Sequence, residues 1–185
     1  MVLASGSGTL AESIFNADFS SENGEVIALI CDKPGAPVLA KAEARHIESF
    51  LIPMTSDRAE WNLELEALIA ALRPDLVVSA GFMRILPAAI TTRFKIINSH
   101  PALLPSYPGA HAVRDALADG ATVTGTTIHW IDEGVDTGEV IASEKVEILG
   151  DDTEESLHER IKIVERGLIV ATIRRLLPTL ESPNV

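Results

Sequence analysis

A chain of 185 residues, 46% of them hydrophobic, holds enough apolar side chains for one folded domain with a sizeable core. Its net charge of −12 argues against nucleic acid as a partner, because a phosphate backbone calls for a basic surface. The single cysteine, Cys31, excludes an internal disulfide and a thiolate metal cluster; no apolar run is long enough to span a membrane and the N-terminus lacks a signal-peptide layout, so a cytoplasmic protein is expected.

Residues 2–4 read as the end of a buried first strand, whose beginning is expected upstream of Met1. They lead into Ser5-Gly6-Ser7-Gly8-Thr9 and a helix bearing Leu10, Ile14 and Phe15. A glycine-rich turn at a helix start presents free N–H groups and the positive end of the helix dipole, which suits a phosphate. Read as Gly6-x-Gly8-x-x-Ala11, with Asp32 closing the next apolar run, the same stretch also fits a dinucleotide fingerprint, and a turn that only packs helix on strand is the plainer alternative. Residues 25–31 form a second expected strand with Cys31 in the core, 37–46 a helix and 49–52 a third strand. Asp57-Arg58-Ala59-Glu60 has the form of a capping box ahead of Trp61, Leu65, Leu68, Ile69 and Leu72, which share one helical face until Arg73-Pro74. Position alone leaves Arg58 as either a solvated cation or an anchor for a ligand carboxylate.

Residues 75–80, with an uninterrupted apolar centre, predict a strand buried on both faces, emptying into Gly81-Phe82-Met83-Arg84-Ile85-Leu86-Pro87. Apolar residues around one Arg at a strand end make either a slot for a flat ligand or ordinary core packing. Residues 94–97 lead into Asn98-Ser99-His100-Pro101. If the strand runs through His100, Asn98 and His100 share a face, placing an amide donor beside an imidazole, and Pro101 ends the ladder. Such a pair suits oxyanion stabilisation and proton transfer at a strand's C-terminal end, where open α/β sheets build sites; a pair that merely satisfies a loop is the alternative.

Further on, 111–118 predicts a short helix and 122–131 an alternating strand, with Thr126, Ile128 and Trp130 on one face and Thr127 and His129 on the other. His129 reads as a strand residue with a local partner. The acidic loop 132–138 lacks calcium-loop spacing; the preferred role for Asp136 is to orient the His100 imidazole. Residues 140–149 predict a strand, and Asp152-Thr153-Glu154-Glu155 caps a long helix with Leu157, Ile161, Val164 and Leu168 as its buried stripe. Lys162 and Glu165 stand at i, i+3, so a helix salt bridge is the default and a substrate contact the lesser reading. The tail 181–185 is expected to fray.

Taken together, Ser5-Gly6-Ser7-Gly8, residues 81–86, Asn98-Ser99-His100-Pro101-Ala102-Leu103-Leu104-Pro105 and Gly134-Val135-Asp136-Thr137-Gly138 resemble the folate-dependent formyltransferases, in order and over almost the whole chain. Ser106-Tyr107-Pro108-Gly109-Ala110-His111, and a length without room for an additional domain, narrow the resemblance to the glycinamide ribonucleotide branch. It implies a doubly wound, mostly parallel α/β sheet with helices on both faces, in a single domain, monomeric or homodimeric. It also implies formyl transfer from 10-formyltetrahydrofolate, without a metal, to the amine of a ribonucleotide of purine biosynthesis. By the resemblance, Asn98, His100 and Asp136 are catalytic. Gly8, Thr9 and Leu10 hold the substrate phosphate, Leu10 by backbone alone, with Lys162 and Glu165 touching the same substrate. Arg58, Met83, Arg84, Ile85 and Leu86, with Asp132, Glu133, Gly134, Val135 and Asp136, form the folate pocket.

Overall fold

The protein is described by a computed structural model covering residues 1–180; the tail expected to fray, 181–185, lies outside the described residues. Strands β1 (Val2–Ala4), β2 (Leu29–Cys31), β3 (Ser49–Leu51), β4 (Val77–Ser79), β5 (Ile96–His100), β6 (Val123–Trp130) and β7 (Val140–Glu147) form a seven-stranded sheet ordered β3-β2-β1-β4-β5-β6-β7. The first five are parallel, while β6 runs antiparallel to β5 and β7 antiparallel to β6. Every residue of β1, β2 and β4 is buried, the pattern of parallel strands covered on both faces. β6 and β7 pair antiparallel because the connection 131–139 is too short for a crossover.

The second strand is shorter than its apolar run suggests. Residues 25–28 lie outside the ladder, because the neighbouring pairings begin with Val2 opposite Leu29 and Leu29 opposite Ser49. The helices are α1 (Thr9–Phe15), α2 (Pro37–Glu43), α3 (Arg58–Leu72), α4 (Ala88–Thr91), α5 (Ala112–Ala118) and α6 (Glu154–Leu176). α2 stops short of the expected residue 46, which adopts a positive φ of 56°. α4, a single turn behind Pro87, was not anticipated from the sequence, which has too few residues there for a periodic signal.

Capping follows local chemistry. Asp57 accepts from the N–H groups of Ala59 and Glu60, both at 3.0 Å, so only the Asp57 half of the expected box forms. At α6 the reciprocal box is complete, but through Ser156, not a glutamate: Ser156 N–H donates to Thr153 Oγ1 at 3.1 Å and Thr153 N–H to Ser156 Oγ at 3.0 Å.

Two cores lie on opposite faces of the sheet. Leu10, Ile14, Val38, Ile97, Ile128, Ile169 and Ile173 join α1, α2 and α6 to one face. Leu3, Ile30, Trp61, Leu65, Ile69, Ile90 and Ile96 join α3 and α4 to the other, with the Trp61 indole N–H donating to the Ile52 carbonyl at 3.0 Å. Because strand side chains alternate, Ile96 facing α3 puts Asn98 and His100 on the α3 side, while Ile97 puts Ser99 on the α6 side. Pro101 follows where the ladder ends.

Candidate active site

A cluster of polar side chains lies at the C-terminal end of β5. His100 is 3% exposed; its Nδ1 lies 3.3 Å from Asp136 Oδ2, and its Nε2 lies 2.7 Å from the Tyr107 carbonyl. Both ring nitrogens therefore face acceptors, which a doubly protonated ring satisfies and a neutral ring half-satisfies. Asp136 Oδ2 also accepts the Gly109 N–H at 2.8 Å, so the turn 105–109 is clamped across both side chains. Asp136 has a φ of 55°, which turns its side chain from the loop 132–138 back toward β5.

His129 is the fourth member: it has the expected local partner, the Trp130 carbonyl, and two distant ones that the sequence did not indicate. Asn98 lies directly opposite His129 in the β5–β6 ladder, so the two side chains share a face. His129 Nε2 is 3.3 Å from Asn98 Nδ2 and 3.4 Å from Asp136 Oδ1, while Nδ1 is 2.9 Å from the Trp130 carbonyl. With N–H at Nδ1 donated to the Trp130 carbonyl, Nε2 accepts an amide hydrogen of Asn98 when it is bare and donates to Asp136 Oδ1 when it carries a hydrogen; the first state leaves the other Asn98 hydrogen for a ligand oxygen. A bulge in the β6–β7 pairing falls between Ile128 and His129, a feature that re-aims side chains near sites. The signal available beforehand was the alternation that placed His129 with Thr127; what was missing was the strand pairing. The Tyr107 carbonyl and Gly109 N–H carry no residue-type signal at all.

The His129 ring beside Oδ1 is the largest influence holding the Asp136 carboxyl below the usual carboxylate range. Burial opposes it, and the Gly109 N–H and the His100 ring add to it. Asp136 thus remains an anion facing two imidazoles.

Of the expected folate-side residues, Arg58, the Ile85 backbone and Leu86 meet on the α3 side. Arg58 Nε donates to Asn62 at 2.9 Å, its Nη2 donates to the Ile85 carbonyl, and its guanidinium lies 4.8 Å from the centroid of the Trp61 ring. It is neither free in solvent nor directed wholly outward; it ties α3 to the loop 81–86. Met83 and Ile85 are 68% and 69% exposed, whereas Leu86 is buried in the α3 core. Of the acidic loop, Glu133, Gly134 and Val135 are exposed, and Asp132 Oδ1 accepts from Thr137 Oγ1 at 2.7 Å and Gly134 N–H at 2.9 Å. Those bonds, the Thr137 hydroxyl foremost, hold the Asp132 carboxyl below its ordinary range. Arg84 Nε donates to Asp32 Oδ2 at 2.6 Å, with the Asp32 side chain fully buried. Buried to this degree, Asp32 does not present its carboxylate to a ribose, which removes the residue on which a dinucleotide reading depended.

The remaining expected contacts lie toward the other face. Gly8 has a φ of 68° and caps α1 without a side chain, leaving the N–H groups of the first turn available beside Thr9. The Leu10 side chain is buried, so only its backbone faces a ligand. A Cβ at Gly8 would lie 2.4 Å from Val38 Cγ2. Gly8→Ala is therefore expected to destabilise by about 2–5 kcal/mol, combining left-handed strain with overpacking, and a thermal melt with an unchanged midpoint would contradict it. Lys162 does not pair with Glu165: its ammonium bonds Glu159 Oε1 at 2.7 Å, because Glu165 is turned inward to accept from the Ser99 hydroxyl at 2.6 Å. Burial raises the Glu165 carboxyl above its usual range, partly offset by Ser99, Lys162 and Arg166. His111 stands exposed at the start of α5. Among the described residues no group of three or more His, Cys, Asp or Glu side chains is arranged to hold a metal ion.

Comparison with known proteins gives a consistent result. A family model described as Formyl transferase matches residues 1–173. A phosphoribosylglycinamide formyltransferase from Mycobacterium tuberculosis is 44% identical over 180 residues, covering 95% of this chain and 83% of the relative. One from Bacillus subtilis is 40% identical, covering 95% and 93%. The crystal structure of phosphoribosylglycinamide formyltransferase from Bacillus halodurans superposes with a TM-score of 0.90 at 37% identity, covering 98% of this chain and 96% of that one. With the model matching nearly the whole chain and full-length relatives this similar, the chain belongs to the formyl transferase family.

Proposed function

We propose that this protein transfers the formyl group of 10-formyltetrahydrofolate to the amine of glycinamide ribonucleotide, in the cytoplasm, as a step of de novo purine biosynthesis. The observation that carries this reading is the convergence of Asn98, His100 and Asp136 at the end of β5, in a chain at least 40% identical to two enzymes named for that substrate. Among the described residues no helix is long and apolar enough to cross a membrane.

In the reaction the amine nitrogen bonds the formyl carbon and the bond from that carbon to N10 breaks. One proton leaves the amine and one arrives at N10. The protein's part is to hold the oxyanion that develops between those events. Asn98 supplies the amide N–H that His129 does not engage, and His100 supplies Nε2–H once the Tyr107 carbonyl has released it. Asp136 orients His100, and through a water it collects the proton from the amine. The folate lies on the α3 side against Arg58, residues 83–86 and residues 132–136, with Leu86 as pocket floor and Arg84 positioned by Asp32. The ribonucleotide lies on the α1 and α6 side, its phosphate against the N–H groups of Gly8, Thr9 and Leu10, with Glu165 and Lys162 along its length; Lys162 exchanges Glu159 for the ligand.

The test is formyl transfer from 10-formyltetrahydrofolate, followed by absorbance, with glycinamide ribonucleotide, water and an unrelated amine as acceptors. Turnover with the ribonucleotide alone is expected. Turnover with another amine and none with the ribonucleotide would overturn the acceptor while keeping the folate half.

A further inference from the structure

Ser99 sits between Asn98 and His100 on β5 but faces the opposite side of the sheet, toward α6. Its hydroxyl donates to Glu165 Oε1 at 2.6 Å, and its oxygen lies 3.3 Å from Thr126 Oγ1, on a residue with no exposed surface. Each hydroxyl has one hydrogen. With Ser99's spent on the carboxylate, Thr126 is the donor between the two, and a relay runs from Thr126 through Ser99 to Glu165. The relay fixes one oxygen of Glu165, and among the described residues no hydrogen bond or ion pair reaches Oε2. A carboxylate anchored at one oxygen and free at the other is an oriented acceptor.

We propose that Ser99 is a positioning residue for the ribonucleotide: it aims Glu165 Oε2 at a donor group of that substrate and ties its binding on the α6 side to the strand that carries Asn98 and His100. The inference rests on the proposed function, because it takes the ligand on the α6 side to be the amine substrate. The strand itself gives the arrangement its economy. Three consecutive residues of β5 serve the two half-sites, Asn98 and His100 on the folate face and Ser99 on the nucleotide face, so the two substrates meet across the strand end.

The test compares Ser99→Ala, Ser99→Thr, Glu165→Ala and the Ser99→Ala/Glu165→Ala double variant, with thermal melts confirming that each is folded. Ser99→Ala is expected to raise KM for glycinamide ribonucleotide about 10-fold, the scale of a lost hydrogen bond to a charged group, with kcat and the folate KM within about twofold of the parent. Ser99→Thr, which keeps the hydroxyl, is expected to stay within about twofold throughout. Once Glu165 is gone, removing Ser99 is expected to add nothing further. A merely structural role would not produce that coupling. An unchanged ribonucleotide KM in Ser99→Ala, a fall confined to kcat, or a Ser99→Ala effect that persists undiminished without Glu165 would overturn the inference, even where the parent transfers formyl to the ribonucleotide normally. Should Ser99→Ala fail to fold, Ser99→Thr and Glu165→Ala carry the test: a Thr variant as impaired for the ribonucleotide as Glu165→Ala overturns it. A parent inactive on the ribonucleotide would instead reject the proposed function.

Discussion

Replacing Asp136 with asparagine is expected to lower kcat for formyl transfer by about 1000-fold or more, the scale seen when an acid that orients a catalytic imidazole is made neutral. The carboxylate now meets three groups: His100 Nδ1 at 3.3 Å, His129 Nε2 at 3.4 Å and the Gly109 N–H at 2.8 Å. An asparagine offers one acceptor oxygen, and its NH2 group is left facing an imidazole nitrogen or a backbone N–H. His100 loses the carboxylate that orients it. Steady-state kinetics with both substrates saturating would show this, and a variant within tenfold of the parent would remove Asp136 from the mechanism. The same variant has a signature in stability. The folded-state pKa of Asp136 is depressed, chiefly by the His129 ring, so its contribution is present above the ordinary carboxyl value and is lost as pH falls through the lower folded-state value. The stability advantage of the parent over Asp136→Asn should therefore hold at neutral pH and shrink in strongly acidic solution. Denaturant titrations across that range would check it, and an advantage that grows toward acid would contradict the assignment.

Asn98→Ala and His100→Ala are each expected to lose about 100- to 1000-fold in kcat, equivalent to about 3–4 kcal/mol, which is the usual scale for removing one oxyanion donor. Substrate KM values should change much less, because the charge that these donors meet develops only in the transition state. Losses in the double variant need not multiply, since both groups act on one oxygen. Asn98 carries a further dependence: one of its amide hydrogens goes to His129, so His129→Ala should release the amide and weaken catalysis through Asn98. Circular dichroism would establish that each variant is folded. A folded Asn98→Ala or His100→Ala with parental kcat would exclude that residue as a donor.

Much of this architecture is legible in the chain. The apolar runs at β1 and β2 and the apolar centre of the 75–80 segment at β4 report strands covered on both faces, and the 3.6-residue spacing of Trp61, Leu65 and Ile69 reports α3. The two-residue spacing of Asn98 and His100, with Pro101 closing the strand, is enough to place both on one face at the strand's end. Lengths were less legible. The run 25–31 is apolar enough for a long strand, but a ladder exists only where a neighbour supplies partners, and that reduced β2 to Leu29–Cys31.

By itself, then, the sequence determined which faces are apolar, where the turns fall, and that an amide and an imidazole share the end of one strand, because these follow from periodicity, proline and glycine within a few residues. Only the tertiary structure decided what those groups meet. The β5–β6 register set Asn98 opposite His129; the return of the 132–138 loop brought Asp136 to both imidazoles; the turn 105–109 laid the Tyr107 carbonyl on His100; and the docking of α6 gave Glu165 to Ser99, not to Lys162. Each of these contacts joins segments distant in the chain or uses a backbone atom that every residue possesses, so no local pattern of side chains encodes it.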